Sequence, residues 1–265
     1  MPDDAPTLLD AAHAAMETAP LDDAARLRLY ARIADTEMFV LLDQEPEGDD
    51  LSPRVFDLED GPVIVIFDRE DRLAAFAGGP APYAALPGRV IAATLAGQGV
   101  GIGLNLGVAP SSMLLPPAAC DWLAATLATQ PQEMEARARE FRAPGGLPEA
   151  LLTALDAKLA RAAGLAQSAL LAGVVYEGGQ RGHILAFVGA APGAEGALAR
   201  AAAEALTFSG VEAGEMDVTF LQPADPAALS MARVALRFDL QVPERPALQE
   251  PKAPGSDPDR PPILR

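Results

Sequence analysis

The chain has 265 residues, half of them hydrophobic, with 37 acidic residues against 20 basic and one cysteine. That composition excludes a disordered chain and a disulfide scaffold, and two histidines plus one cysteine cannot supply the usual ligands of a thiolate metal site. The formal charge of −17 divides into −13 over residues 1–142 and −4 over residues 143–265. So acidic a surface repels phosphate, because binding to nucleic acid or to an anionic membrane needs several Lys or Arg to displace counterions.

The first twenty residues carry acids where a leader would carry positive charge, and no run of about 18 apolar residues is uninterrupted, so neither a signal peptide nor a transmembrane helix is expected. The expected location is cytoplasmic. Pro6–Thr18 places Leu8, Leu9, Ala12, Ala15 and Met16 at helical spacing, which predicts a short, loosely docked helix with His13 facing solvent. Leu21–Ala34 repeats the pattern, with Asp22 and Asp23 in its first turn, where acids favour the helix dipole. Strands are predicted at Met38–Leu42, Val55–Leu58 and Val63–Phe67. The last of these, VIVIF, is continuously apolar and reads as a central strand covered on both faces. Asp68 is expected to cap a helix over Arg69–Ala77. Another helix runs from about Pro87 to Ala96, a strand from Gly101 to Leu106, and a helix from Pro117 to Ala128.

Glu133–Arg142 reads as a charged helical run and, with the Ala-Pro-Gly-Gly-Leu-Pro that follows it, as a linker. Beyond it a helix is predicted over Glu149–Ala163. Strands at Ser168–Tyr176 and His183–Val188 flank the turn Glu177–Gly182, a hairpin signal. Helix Ala194–Leu206, strand Asp217–Leu221 and a helical stretch Ala227–Leu236 complete this half. Pro243–Arg265 has seven prolines in 23 residues and reads as a disordered tail. The predicted class is α+β: two small domains, each a mixed sheet with helices packed on it, plus that tail. The expected division is an N-terminal helical segment at 1–20, a domain at 21–130, a linker at 131–148, a second domain at 149–242 and the tail at 243–265.

Catalytic equipment is sparse. The run Gly97-Gln-Gly-Val-Gly-Ile-Gly-Leu-Asn-Leu-Gly107 invites a nucleotide reading, but no G-x-G-x-x-G fits it, and the glycines enter a strand where a dinucleotide loop would open a helix. Read structurally, the glycines allow close backbone approach. Read as a ligand loop, the segment offers Gly101, Gly103, Asn105, Gly107, Ser111 and Ser112 as candidate binding residues. Cys120 lies beside Asp121, which raises a thiol pKa and disfavours a nucleophile, so it reads as a core residue. His183 opens a strand beside a glycine turn and reads as a hairpin residue. With two histidines in the chain, a nucleophile–base–acid triad finds little material. The acidic pairs Asp22-Asp23, Asp49-Asp50 and Glu59-Asp60 read as caps and solvated loops. Trp122 reads as a core anchor or as a partly exposed interface residue. Ile263 and Leu264, in the terminal Pro-Pro-Ile-Leu-Arg, are candidate interface residues of a short docking peptide. No catalytic residue, metal ligand or cofactor is assigned.

Four stretches resemble the SseB N-terminal domain of the "enhanced serine sensitivity" protein family. They are LRLYARIADTEMFVLL (Leu27–Leu42), VIVIFDREDRLAAFAG (Val63–Gly78), GVGIGLNLGVAPSSMLLPP (Gly99–Pro117) and CDWLAATL (Cys120–Leu127). Within them fall an L-x-x-x-A-x-hydrophobic opening at Leu27–Ile33, F-x-x-x-x-x-L at Phe67–Leu73, G-hydrophobic-x-L-N at Gly101–Asn105 and L-P-P at Leu115–Pro117. The resemblance spans about Leu21–Ala128, and the second half is similar to the family's C-terminal domain. It implies a cytoplasmic bacterial protein and transfers neither a reaction nor a site. Two functional expectations stand together. One is a non-catalytic protein-binding or regulatory protein, whose partner is another protein or a second copy of itself. The other is a small-metabolite binder, for an amino acid or nucleotide, working through the segment around Asn105.

Overall fold

In the computed structural model, residues 5–46, 51–59, 61–128, 138–210 and 216–240 are described. The tail from Pro243, with Ile263 and Leu264, lies outside them, as do Asp49, Asp50 and Asp60. The first half runs α1 (Leu8–Thr18), α2 (Asp23–Asp35), β1 (Glu37–Leu41), β2 (Val55–Leu58), β3 (Gly61–Phe67), α3 (Glu70–Ala77), β4 (Tyr83–Pro87), α4 (Gly88–Leu95), β5 (Gly101–Leu104), β6 (Met113–Leu115) and α5 (Pro117–Ala128). Its sheet has the order β4-β1-β3-β5-β6, with β2 also on β3. The β3–β5 pair is parallel, with Val63 opposite Gly101, and the other pairs are antiparallel.

The central place of β3 explains its unbroken apolar run. Ile64 and Ile66 enter a core with Leu29 and Ile33 of α2, Ile91 of α4 and Leu123 of α5. Val65 and Phe67 point to the opposite face, where Leu73 and Phe76 of α3 cover them. A strand with a core on each face has no polar side, because successive side chains alternate between faces. Among the described residues, no helix is long and apolar enough to cross a membrane.

The second half runs β7 (Ala138–Arg142), α6 (Glu149–Ala160), β8 (Ser168–Tyr176), β9 (Arg181–Val188), α7 (Glu195–Phe208), β10 (Met216–Leu221), α8 (Pro226–Met231) and β11 (Leu236–Asp239). Its sheet has the order β10-β9-β8-β11, with β7 also on β8. Along β8, Ala169 and Leu171 face α6 and α7, while Leu170, Ala172 and Val174 face α8. The mixed α+β class with helices on two sheets is therefore the observed architecture.

Several local expectations need correction. Residues 138–142 of the predicted charged helix form the strand β7 on β8. Only Phe141 of that strand is drawn inward, so charge alone carried no period. Asp68 does not cap α3. Arg69 holds the cap position, and the Asp68 carboxylate turns to Arg72 and Thr7. The first helix is firmly docked, and His13 is buried with Leu9 and Asp10, because positions three and four apart share a helix face. The helical stretch near Ala227 ends at Met231, and Leu236 already belongs to a strand.

Candidate functional site

The glycine-rich segment forms β5 and the turn after it. A Cβ on Gly101 would lie 2.6 Å from the carbonyl oxygen of Leu115, so only glycine lets β5 and β6 approach this closely. Gly103 lies beneath the Leu106 side chain, 2.5 Å from where its Cβ would fall. The strand ends as Asn105 adopts φ 47°, a left-handed conformation that Asn tolerates better than most residues. Its N–H still reaches Ile66 O at 2.9 Å, prolonging the parallel pairing. Past the turn, the N–H of Gly107 donates to Ser112 Oγ at 3.0 Å.

Asn105 and Ser111 are fully buried, and their side chains meet. Asn105 Nδ2 donates to Ser111 Oγ (2.8 Å), and Asn105 Oδ1 accepts from the backbone N–H of Asp68 (3.2 Å). The Ser111 hydroxyl donates to Asp10 Oδ1 at 2.6 Å. Asp10 belongs to α1 and closes a capping box with Thr7. The Arg72 guanidinium reaches Asp10 from both ends, Nη1 at 3.1 Å and Nη2 at 2.5 Å, and Asp68 at 2.8 Å. Thr7 Oγ1 donates to the other oxygen of Asp68 at 2.6 Å. One buried polar group thus joins α1, the start of α3, the end of β5 and the turn that follows. The structure brings together Asn105 and Ser111 of the sequence candidates and adds Thr7, Asp10, Asp68 and Arg72. Gly101, Gly103, Gly107 and Ser112 shape the backbone around them.

The electrostatics are those of a clamp. Burial pushes the Asp10 carboxyl upward, but hydrogen bonds from Arg72, Ser111 and the Thr7 N–H outweigh it and hold the group well below the usual carboxylate range. A carboxylate that acidic is a poor proton acceptor, so it orients Ser111 without activating it. An open depression lined by Phe39, Asp68, Arg69, Glu70, Asp71 and Ala74 lies beside the clamp.

The remaining candidates lie elsewhere. Cys120 is buried in the core, and desolvation with the Asp121 charge pushes its thiol up to about 11. His183 Nε2 lies 3.1 Å from the carbonyl oxygen of Gly145. Burial, followed by the carboxylate of Asp217 to which its hydroxyl donates, raises the Tyr176 phenol. Trp122 is 39% exposed and sits between two rings, with centroids 5.4 Å from Tyr30 and 6.3 Å from Phe208 of the second half. The partners that sequence reading missed lie far along the chain from those it found. The one local trace was the Thr-x-x-Asp spacing at Thr7–Asp10, which matches a capping pattern.

Residues 9–122 match the family model described as the SseB protein N-terminal domain. Neither a curated protein nor a solved structure matches the chain.

Proposed function

We propose that this chain, which belongs to the SseB family through its N-terminal domain over residues 9–122, is a non-catalytic protein-binding or regulatory protein whose partner presents a basic surface. The carrying observation is the contrast between the inside and the outside of the first half. Its polar motif residues are closed on one another, with Asn105 and Ser111 shut off from solvent. Its exposed surface is acid-rich, with Asp43, Glu45, Glu70 and Asp71 all exposed. Around Tyr83 this field is strong enough to raise the phenol, through the charge of Glu70 first and of Glu45 last. Such a surface favours encounter with a positively charged protein patch, and the contact weakens with salt.

The test is affinity capture of the tagged full-length chain from its native lysate, beside Glu45→Lys/Glu70→Lys, at low and high salt. A stoichiometric basic protein is expected with the parent chain at low salt, lost both in the variant and at high salt. Recovery of no stoichiometric protein, or of one indifferent to salt and to the reversed charges, overturns the reading.

A further inference from the structure

Where the two halves meet, five charged side chains interlock in a way the function above does not use. Asp35, at the end of α2, accepts from Arg89 of α4 at 2.6 Å and from Lys158 of α6 at 2.8 Å. Glu204 of α7 accepts from Lys158 at 2.7 Å and from both ends of Arg89 at 3.1 Å. Arg161, just past α6, donates to the Asp35 carbonyl oxygen at 2.5 Å and lies 3.6 Å from its carboxylate. The pairing is reciprocal across the chain. The first half's carboxylate is held by the second half's Lys158 and Arg161, and the second half's carboxylate by the first half's Arg89. The side chains of Asp35, Lys158 and Glu204 are only 10%, 8% and 8% exposed, whereas Arg89 and Arg161 form a half-exposed rim.

An apolar contact lies beside this group. Phe208 of α7 is buried in the first half's core, edge-on to Trp122 and 5.5 Å beneath the Lys158 ammonium. Gly210 then abuts α2 so closely that a Cβ there would lie 2.4 Å from Ala24 Cβ. Buried ion pairs contribute little net adhesion, because desolvation offsets their attraction, yet removing one partner strands a buried charge. They therefore discriminate strongly between one placement of the halves and any other.

We propose that Asp35, Arg89, Lys158, Arg161 and Glu204 form a latch that holds the two halves in one placement and that, when its charges are unbalanced, releases α7 from α2 and uncovers the seat of Phe208. Three cations against two carboxylates make the group sensitive to the loss of either acid. The half-exposed rim gives ions access to it.

Trp122, the single tryptophan, is a built-in reporter of this seam. The full-length chain is compared with Lys158→Met, Glu204→Gln and the double variant by far-UV circular dichroism and by acrylamide quenching of Trp122. Each single variant is expected to keep its secondary structure, shift Trp122 emission to the red and, from its present 39% exposure, raise quenching up to about twofold. The double variant should open less than the sum of the two, because the residues act as one unit. Trp122 quenching unchanged in folded single variants, or strictly additive effects, overturns the latch. If the single variants lose their secondary structure, the parent chain decides. Quenching that rises from about 0.05 to about 1 M sodium chloride supports the latch, and a flat response overturns it.

Discussion

Asp10 accepts from Arg72, Ser111 and Thr7 while buried at the foot of α1. Replacing it with Ala strips Ser111 of its acceptor and leaves Arg72 with Asp68 as its acidic partner here. The expected cost is about 1–3 kcal/mol, the range for leaving a buried polar group without its partner, read as a drop in the urea midpoint. Because the folded-state carboxyl is held below its ordinary value, Asp10 contributes its full stability above about pH 4 and loses it as the pH falls toward the folded value. The difference between parent and Asp10→Ala should therefore shrink between pH 7 and about pH 3. A constant difference would show that the carboxylate charge is not what stabilises the clamp. At this scale the sequence was half legible. Asn105 and Ser111 stood out as polar residues in an apolar, glycine-rich stretch. Their partners did not, because Asp10 is 101 positions from Ser111 and 62 from Arg72, and no local pattern encodes a contact that long.

Strands and helices were legible where one physical reason acted alone. The run Val63–Phe67 had to be central because no residue in it could face water. The glycine turn at Glu177–Gly182 set the hairpin now seen as β8 and β9. The three-residue β6 was too short to show a period, and β4 and β11 are only partly buried and lack the unbroken apolar run that marked β3. β7 misled because alternating charges suit an exposed strand as well as a helix. The glycines of β5 differ in what they permit, and that separates two substitutions. Gly101→Ala drives a Cβ into the Leu115 carbonyl at 2.6 Å and toward Val63 at 3.3 Å, costing about 1–3 kcal/mol by overpacking. Gly107→Ala meets no atom within 4 Å, and its cost is the left-handed φ of 69°, about 1–2 kcal/mol. Thermal melts should place Gly101→Ala at or below Gly107→Ala. The reverse order would mean that β5 and β6 separate easily.

The division into two sheets was legible from the order of elements, but the seam between them was not. A proline- and glycine-rich stretch marks where the chain changes course and is silent on what packs afterwards. Phe208 lies two residues past the predicted helix Ala194–Leu206, where nothing in the sequence marks it, yet its ring completes the core of the first half. Phe208→Ala should cost about 3–5 kcal/mol and lower the first half's stability as much as the second's. Hydrogen exchange at α2 and at β8 would then accelerate together. Acceleration confined to β8 would mean that the halves unfold independently.

The same ring imposes an order on synthesis. Residues 9–122 leave the ribosome before α7 exists, so their core is first assembled with a place unfilled. At bacterial or eukaryotic elongation rates of about 5–20 residues per second, the wait between Trp122 and Phe208 is about 4–17 s. During that interval the nascent first half shows apolar surface and an Asp35 held by Arg89 without Lys158 or Arg161, and it is then that the chain has most need of a chaperone.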